Sequence, residues 1–169
     1  MPPRPASIKV RALQWLAQRE HSRDELRDKL LRLLQRSAAA AGGEPSEPPE
    51  PAAEVEALLD WLTLRGYLSE QRFVESRVHA RQARFGNLRI ERELQQHGLS
   101  LDADARQALQ HSELQRAHAV WRRKYGEPAA DAAGRVRQMR FLAGRGFSAE
   151  VVRRVMRGEG AAPDDAPAS

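Results

Sequence analysis

The chain stops and restarts a helix three times with the same short phrase. "RGYLSEQRF", "QHGLSLDAD" and "GRGFSAEVV" each place a glycine (Gly66, Gly98, Gly146), then a hydrophobic residue (Tyr67, Leu99, Phe147), then a Ser or Asp able to cap the next helix. Glycine reaches the left-handed conformation that closes a helix, and the apolar residue after it folds back on the last turn. Such punctuation describes short helices packed as small modules, with arginine-rich faces left over. β-branched residues are sparse and no alternation persists, while Ala, Leu, Arg, Gln and Glu, all good helix formers, dominate. The expected fold class is all-α.

Nine helices are predicted, at about Ala6–Arg19, Arg23–Gln35, Ala53–Arg65, Glu70–Arg84, Asn87–Gln96, Asp102–Gln110, Ser112–Lys124, Ala130–Gly144 and Ala149–Arg157. "SRDE" from Ser22 reads as a capping box opening the second. "FGN" at Phe85 to Asn87 breaks the fourth, with Asn87 a candidate cap for the fifth, and "YGEP" at Tyr125 to Pro128 breaks the seventh in the same manner. Between the second and third helices, "SAAAAGGEPSEPPEPAA" has four prolines, two glycines and no basic residue. It reads as a flexible acidic linker or inserted loop.

Nine helices group by three. The expected organisation is a first three-helix module over 5–66 with the acidic insert at 37–53, a second over 67–110, a third over 111–157, and a disordered tail over 158–169. Modules this small bury little core alone, so they are expected to stack into an elongated, curved body. A monomer is expected, because long apolar stripes are confined to module interfaces.

The net charge is only +5, but the signs are not evenly mixed. Leu114 to Gly126 holds four basic residues and no acid, and Arg135 to Arg157 holds seven arginines against Glu150 alone. Such surfaces attract nucleic acid or an acidic protein groove; arginine on solvated helices is the plainer reading. With no cysteine, disulfides and thiol chemistry are excluded. No run approaches the roughly 18 apolar residues of a membrane helix, and the N-terminus lacks the apolar core of a signal peptide. A cytoplasmic protein with no membrane partner is expected.

Catalytic chemistry finds no foothold. His111 and His118 lie seven apart in one helical stretch, but no third ligand completes a metal site. Asp102 and Asp104 sit at a helix start, where acids favour the helix dipole, and Asp164 and Asp165 fall in the tail. There is no glycine-rich phosphate loop and no serine with an evident base. The chain reads as a non-enzyme without cofactor or metal. Trp61 reads as a core edge, with stacking on nucleic acid as its alternative.

Four segments resemble the bacterial RecX regulatory proteins, modulators of the RecA recombinase. They are "ALQWLAQREHSRDELRDKL" (Ala12 to Leu30), the run from Val55 to Leu99, "AHAVWRRKYG" (Ala117 to Gly126) and "RQMRFLAGRGFSAEVVRRVM" (Arg137 to Met156). The resemblance implies three-helix repeats in an extended, curved protein. It implies a protein that binds RecA and its filament on single-stranded DNA and inhibits recombinase, ATPase and coprotease activities, modulating recombination and the SOS response. Many such proteins also bind single- or double-stranded DNA directly. A sequence-independent DNA-binding protein acting by competition for DNA is the alternative. The acidic insert and Gln71 depart from the family pattern.

Within the matched segments, Tyr67, Phe73, Phe85, Gly86, Gly98, Trp121, Tyr125, Gly126, Phe141, Leu142, Gly146 and Phe147 read as structural. Candidate contacts to RecA or DNA are Arg77, Arg81, Arg84, Arg122, Arg123, Lys124, Arg140, Arg145 and Arg153. Guanidinium and ammonium groups on long stems suit phosphate and carboxylate alike.

Overall fold

A computed structural model describes residues 7–40 and 49–161. Among them the fold is all-α, a tandem three-helix architecture of eight helices: α1 (Ile8–Gln18), α2 (Arg23–Ala40), α3 (Pro49–Leu64), α4 (Glu70–Gln82), α5 (Asn87–Gln95), α6 (Ala103–Tyr125), α7 (Ala132–Gly144) and α8 (Ala149–Met156). The chain divides into two compact units between Phe73 and Val74, inside α4.

The three glycine stops share one geometry. Gly66, Gly98 and Gly146 have φ of +73°, +69° and +86°. In each, the residue after the glycine donates its N–H to the carbonyl five residues back: Tyr67 to Leu62 at 2.9 Å, Leu99 to Leu94 at 3.1 Å, Phe147 to Leu142 at 3.3 Å. This is the Schellman closure. The restarts are capped by Ser69, Asp102 and Ser148, whose side-chain oxygens accept from the N–H groups of Arg72, Ala105 and Val151. A fourth closure follows α8, where Gly158 has φ +84° and Glu159 donates to the Arg154 carbonyl at 3.1 Å. The start of the expected disordered tail is therefore placed, and only 162–169 lie outside the described residues. Its signature escaped the sequence pattern because a glutamate, not an apolar residue, follows the glycine.

Three predicted boundaries are corrected. The break at Gln110 to Ser112 does not occur, and α6 runs unbroken from Ala103 to Tyr125. Ser112 does not cap; its hydroxyl donates back to the Ala108 carbonyl at 3.1 Å, as a mid-helix serine does. The insert is shorter than expected, because α2 continues through Ala38 to Ala40 and α3 starts at Pro49. Alanine is the best helix former, and a proline in the first turn lacks an N–H that would have no helical partner anyway. Residues 41–48 of the insert lie outside the described residues.

In the first unit, α2 packs against α1 and α3 around Ala12, Leu26, Leu30, Val55, Leu59, Leu62 and Leu68. Arginines clamp α2 to α3: Arg23 reaches Glu56 at 2.8 Å and Asp60 at 2.6 Å, and Arg27 also pairs with Glu56. The α1–α2 turn has no glycine. Ser22 accepts from the Glu25 N–H at 3.1 Å, and buried His21 lies 3.0 Å by Nδ1 from the Arg19 carbonyl and 3.0 Å by Nε2 from Lys29 Nζ. An ammonium only donates, so Nε2 accepts and Nδ1 carries the proton. His21 is thus a neutral imidazole.

In the second unit, α6 packs against α5, α7 and α8. Its main core holds Ala117, Val120, Trp121, Leu142, Phe147, Val152 and Val155. Trp121 Nε1 donates to Gln138 Oε1 at 3.2 Å, and Gln138 Nε2 donates to the Glu127 carbonyl at 3.0 Å, closing the α6–α7 loop. The α4–α5 turn crosses the α7–α8 turn backbone to backbone. Gly86 donates to the Arg145 carbonyl at 3.0 Å, and Leu88 donates to the Gly146 carbonyl at 3.1 Å. A Cβ on Gly86 would collide with the Gly146 carbonyl and the Phe147 nitrogen, and one on Gly146 with Arg89.

"FGN" and "YGEP" therefore act differently. Gly126 ends α6 at φ +76°, whereas Gly86 starts α5 at φ −78° and is glycine for space rather than for backbone angle. Asn87 does not cap α5; it is the first helical residue.

Two outcomes follow for stability. Gly86→Ala must displace backbone and is expected to cost about 3 kcal/mol, whereas Gly66→Ala, with nothing within 4 Å of its added Cβ, costs about 1 kcal/mol for its positive φ; urea unfolding followed by circular dichroism separates them. Burial pushes the His21 pKa below its ordinary 6.5, the charges of Arg19 and Lys29 adding to this against Glu25. A folded-state pKa below the unfolded value means the stabilisation is present above the unfolded pKa and lost as pH falls toward the folded one. Protection of the α1–α2 amides from hydrogen exchange should therefore drop as pH falls below the ordinary histidine value of 6.5, and His21→Gln should flatten that dependence.

Candidate functional site

The turn crossing gathers cations. Arg84 leaves the α4–α5 turn, Arg145 leaves the α7–α8 turn, and Arg123 and Lys124 lie in the last turn of α6. Together with Val120 and Phe141 they line a groove of about 270 Å³ in the second unit. No carboxylate is among its lining residues. Tyr125 meets Phe141 edge-on, ring centroids 5.4 Å apart, and the Arg145 guanidinium lies 5.2 Å from the Phe141 centroid. The lining thus combines two apolar side chains with four cations. Two of the lining cations, Arg123 and Lys124, also serve the last turn of α6, whose carbonyl ends favour positive charge.

A second cationic ring adjoins it around buried Phe85. Arg81, Arg84, Arg89 and Arg145 place their guanidinium carbons 5.6, 5.8, 4.2 and 5.4 Å from the Phe85 centroid. Glu93 takes up part of this charge, pairing with Arg81 at 2.8 Å and with Arg89 at 3.4 Å.

Of the nine predicted contact residues, Arg84, Arg123, Lys124 and Arg145 converge on the groove. Arg123 also donates to the Ala83 carbonyl at 3.3 Å, which ties α6 to the α4–α5 turn. Arg81 is ion-paired beside the groove, and Arg77 lies 3.4 Å from His97 Nε2. Arg122, Arg140 and Arg153 are exposed but are not among the groove residues. Among the predicted structural residues, Phe73, Phe85, Trp121, Leu142 and Phe147 are buried, whereas Tyr67 is half-exposed. His111 and His118 do not meet: His118 is buried against Trp121 with ring centroids 5.5 Å apart, and His111 is exposed. Among the described residues no three His, Asp or Glu side chains gather as a metal-binding group.

Sequence reasoning missed the pair that holds the groove's walls together. Buried Glu113 accepts the Asn87 N–H at 3.0 Å and the backbone N–H of Ser148, so one carboxylate on α6 receives the first turns of both α5 and α8. Arg116 reaches the carbonyls of Gln82, Phe85 and Leu109 at 3.1, 3.0 and 3.1 Å, and also Asn87 Oδ1. Burial pushes the Glu113 pKa up, while the Asn87 hydrogen bond and the Arg116 charge pull it back. Burial likewise lowers the Arg116 pKa. A signal existed: Glu113 stands four residues from Leu109 and four from Ala117, in line with the buried face of α6.

Residues 69–109 match the second three-helix domain of RecX, and residues 111–156 match the third. The chain is 46% identical to "Regulatory protein RecX" of Ralstonia nicotianae over 98% of its own length and 96% of that protein's. The chain belongs to the RecX family. A RecX protein of Leptothrix cholodnii is 50% identical over 89% of this chain and 88% of its own, and one of Herminiimonas arsenicoxydans is 44% identical over 89% and 91%. The junction between the two matched RecX domains falls at Gln110, within the unbroken α6. Adjacent RecX domains here share one continuous helix. No helix among the described residues is long and apolar enough to cross a membrane.

Glu113→Ala should orphan two buried N–H groups and leave Arg116 without its nearby acid, costing about 3 kcal/mol. Glu113→Gln keeps an acceptor oxygen and should cost about 1 kcal/mol. Urea unfolding of the two variants against wild type checks the ordering.

Proposed function

We propose that this chain regulates the RecA recombinase: it binds RecA and its filament on single-stranded DNA and lowers ATPase, recombinase and coprotease activity. The observation that carries the reading is the groove of Arg84, Arg123, Lys124 and Arg145, four cations with no lining carboxylate, in a chain of the RecX family. A partner that presents successive anions meets all four without desolvating an unpaired acid. A RecA–DNA filament presents both phosphates and protein carboxylates along its length. The proposed action needs binding and no bond chemistry, which suits a groove of cations over apolar side chains. The three-module scheme of 5–66, 67–110 and 111–157 belongs to this reading, and the matched second and third three-helix domains at 69–109 and 111–156 support its last two modules.

The test is RecA ATP hydrolysis on a fixed single-stranded DNA, titrated with this protein at two DNA concentrations. Inhibition at well below one copy per RecA, undiminished by added DNA, is expected. Arg123→Gln with Lys124→Gln should raise the half-inhibitory concentration roughly tenfold, while the lost Ala83 hydrogen bond and helix-end charges lower the thermal melt by only a few degrees. Inhibition that vanishes when DNA is supplied in excess would replace this reading with competition for DNA.

A further inference from the structure

The first unit carries an aromatic face that its core does not use. Trp61 packs partly buried against the cluster built on Leu26, Leu30 and Leu59. Tyr67 stacks on it, ring centroids 5.8 Å apart and planes 25° from parallel, yet Tyr67 is 50% exposed. Leu64, in the last turn of α3, is 85% exposed. Lys9 Nζ lies 3.7 Å from the Trp61 centroid and the Arg65 guanidinium carbon 5.9 Å from it. Neither cation is ion-paired among the described residues.

The same closure elsewhere sends its ring inward: Phe147, after Gly146, is buried at 2% exposure. After Gly66 it is Leu68 that enters the core, and Tyr67 stays outside, held at a fixed angle by a second ring anchored in that core. A stacked, half-exposed ring beside two cations that pair with no carboxylate among the described residues selects a ligand that is flat and anionic together. Single strands supply both, since each base offers a π-face and each linkage a phosphate, whereas a duplex hides its base faces. An acidic peptide would answer the charge but has no need of a planar, pre-oriented ring.

We propose that Tyr67, backed by Trp61, is a stacking platform for an unpaired base of single-stranded nucleic acid, with Lys9 and Arg65 drawing in the flanking phosphates. The site shares no residue with the basic groove and does not depend on the RecA reading. Stacking supplies the base-dependent part of the affinity, and the cations supply the salt-dependent part.

Fluorescence anisotropy of the full chain, without RecA, on a labelled oligothymidylate and on an abasic strand of equal length tests this. Wild type should bind the base-bearing strand roughly tenfold tighter than the abasic one. Tyr67→Ala should remove that difference, and Tyr67→Phe, which keeps the ring, should retain it. Arg123→Gln with Lys124→Gln, in the other unit, should leave the ratio of the two affinities unchanged. The proposal is overturned if wild type binds both strands alike, or if Tyr67→Ala keeps the wild-type ratio. It is equally overturned if Tyr67→Ala loses RecA inhibition while its oligonucleotide binding is untouched, because the face would then take a protein segment.

Discussion

Two backbones without side chains between them hold the second unit in register. At Gly86 and Gly146 the α4–α5 and α7–α8 turns pass close enough to exchange main-chain hydrogen bonds, Gly86 to Arg145 and Leu88 to Gly146. Packed side chains tolerate small shifts, but backbone contact does not, because neither partner has a rotamer to change. The crossing therefore fixes where two distant turns meet. Glu113 and Arg116 then lock it from below, satisfying backbone groups that the crossing withdraws from water.

That crossing has an electrostatic consequence. Each turn carries an arginine, and bringing the turns together sets Arg84 and Arg145 beside the cationic end of α6. Like charges so placed repel one another, and the Arg84 and Arg145 guanidinium groups over the Phe85 and Phe141 rings offset part of that repulsion. The groove is thus a stored concentration of positive charge, and an anionic partner relieves it. Its positive potential extends through the partly neutralised ring around Phe85.

Much of the arginine content serves other ends. Arg23 and Arg27 clamp α2 to α3, Arg116 is an internal strut, and Arg154 and Arg157 hold Glu159 at the close of α8. Exposed pairs of this kind contribute little each. They matter here as orientation, aligning helices whose modules have small cores. Tail residues take part as well: a Cβ on Gly160 would stand 2.9 Å from Leu114 Cγ, so the chain rests on α6 beyond its last helix.

The helices and their closures were legible because they are local. Gly66, Gly98 and Gly146 announce themselves by the residues on either side, and Ser69, Asp102 and Ser148 cap where spacing says they should. Local order also misled where context is weak: nothing in "QHS" forbids a helix, and α6 runs through it. The family, too, could be read from short motifs in order. What no local pattern carries is which cations meet. Arg84 and Arg145 stand far apart in the chain, and only the glycine crossing makes them neighbours, while Arg140 and Arg153, equally promising in sequence, are not groove residues. Glu113 stands on the buried face of α6 by its spacing, but which backbone groups it and Arg116 receive is decided only when the distant turns arrive above them. Secondary structure follows from interactions within a few residues, which the sequence states directly; a binding surface depends on contacts between distant segments, and those exist only once the chain has packed.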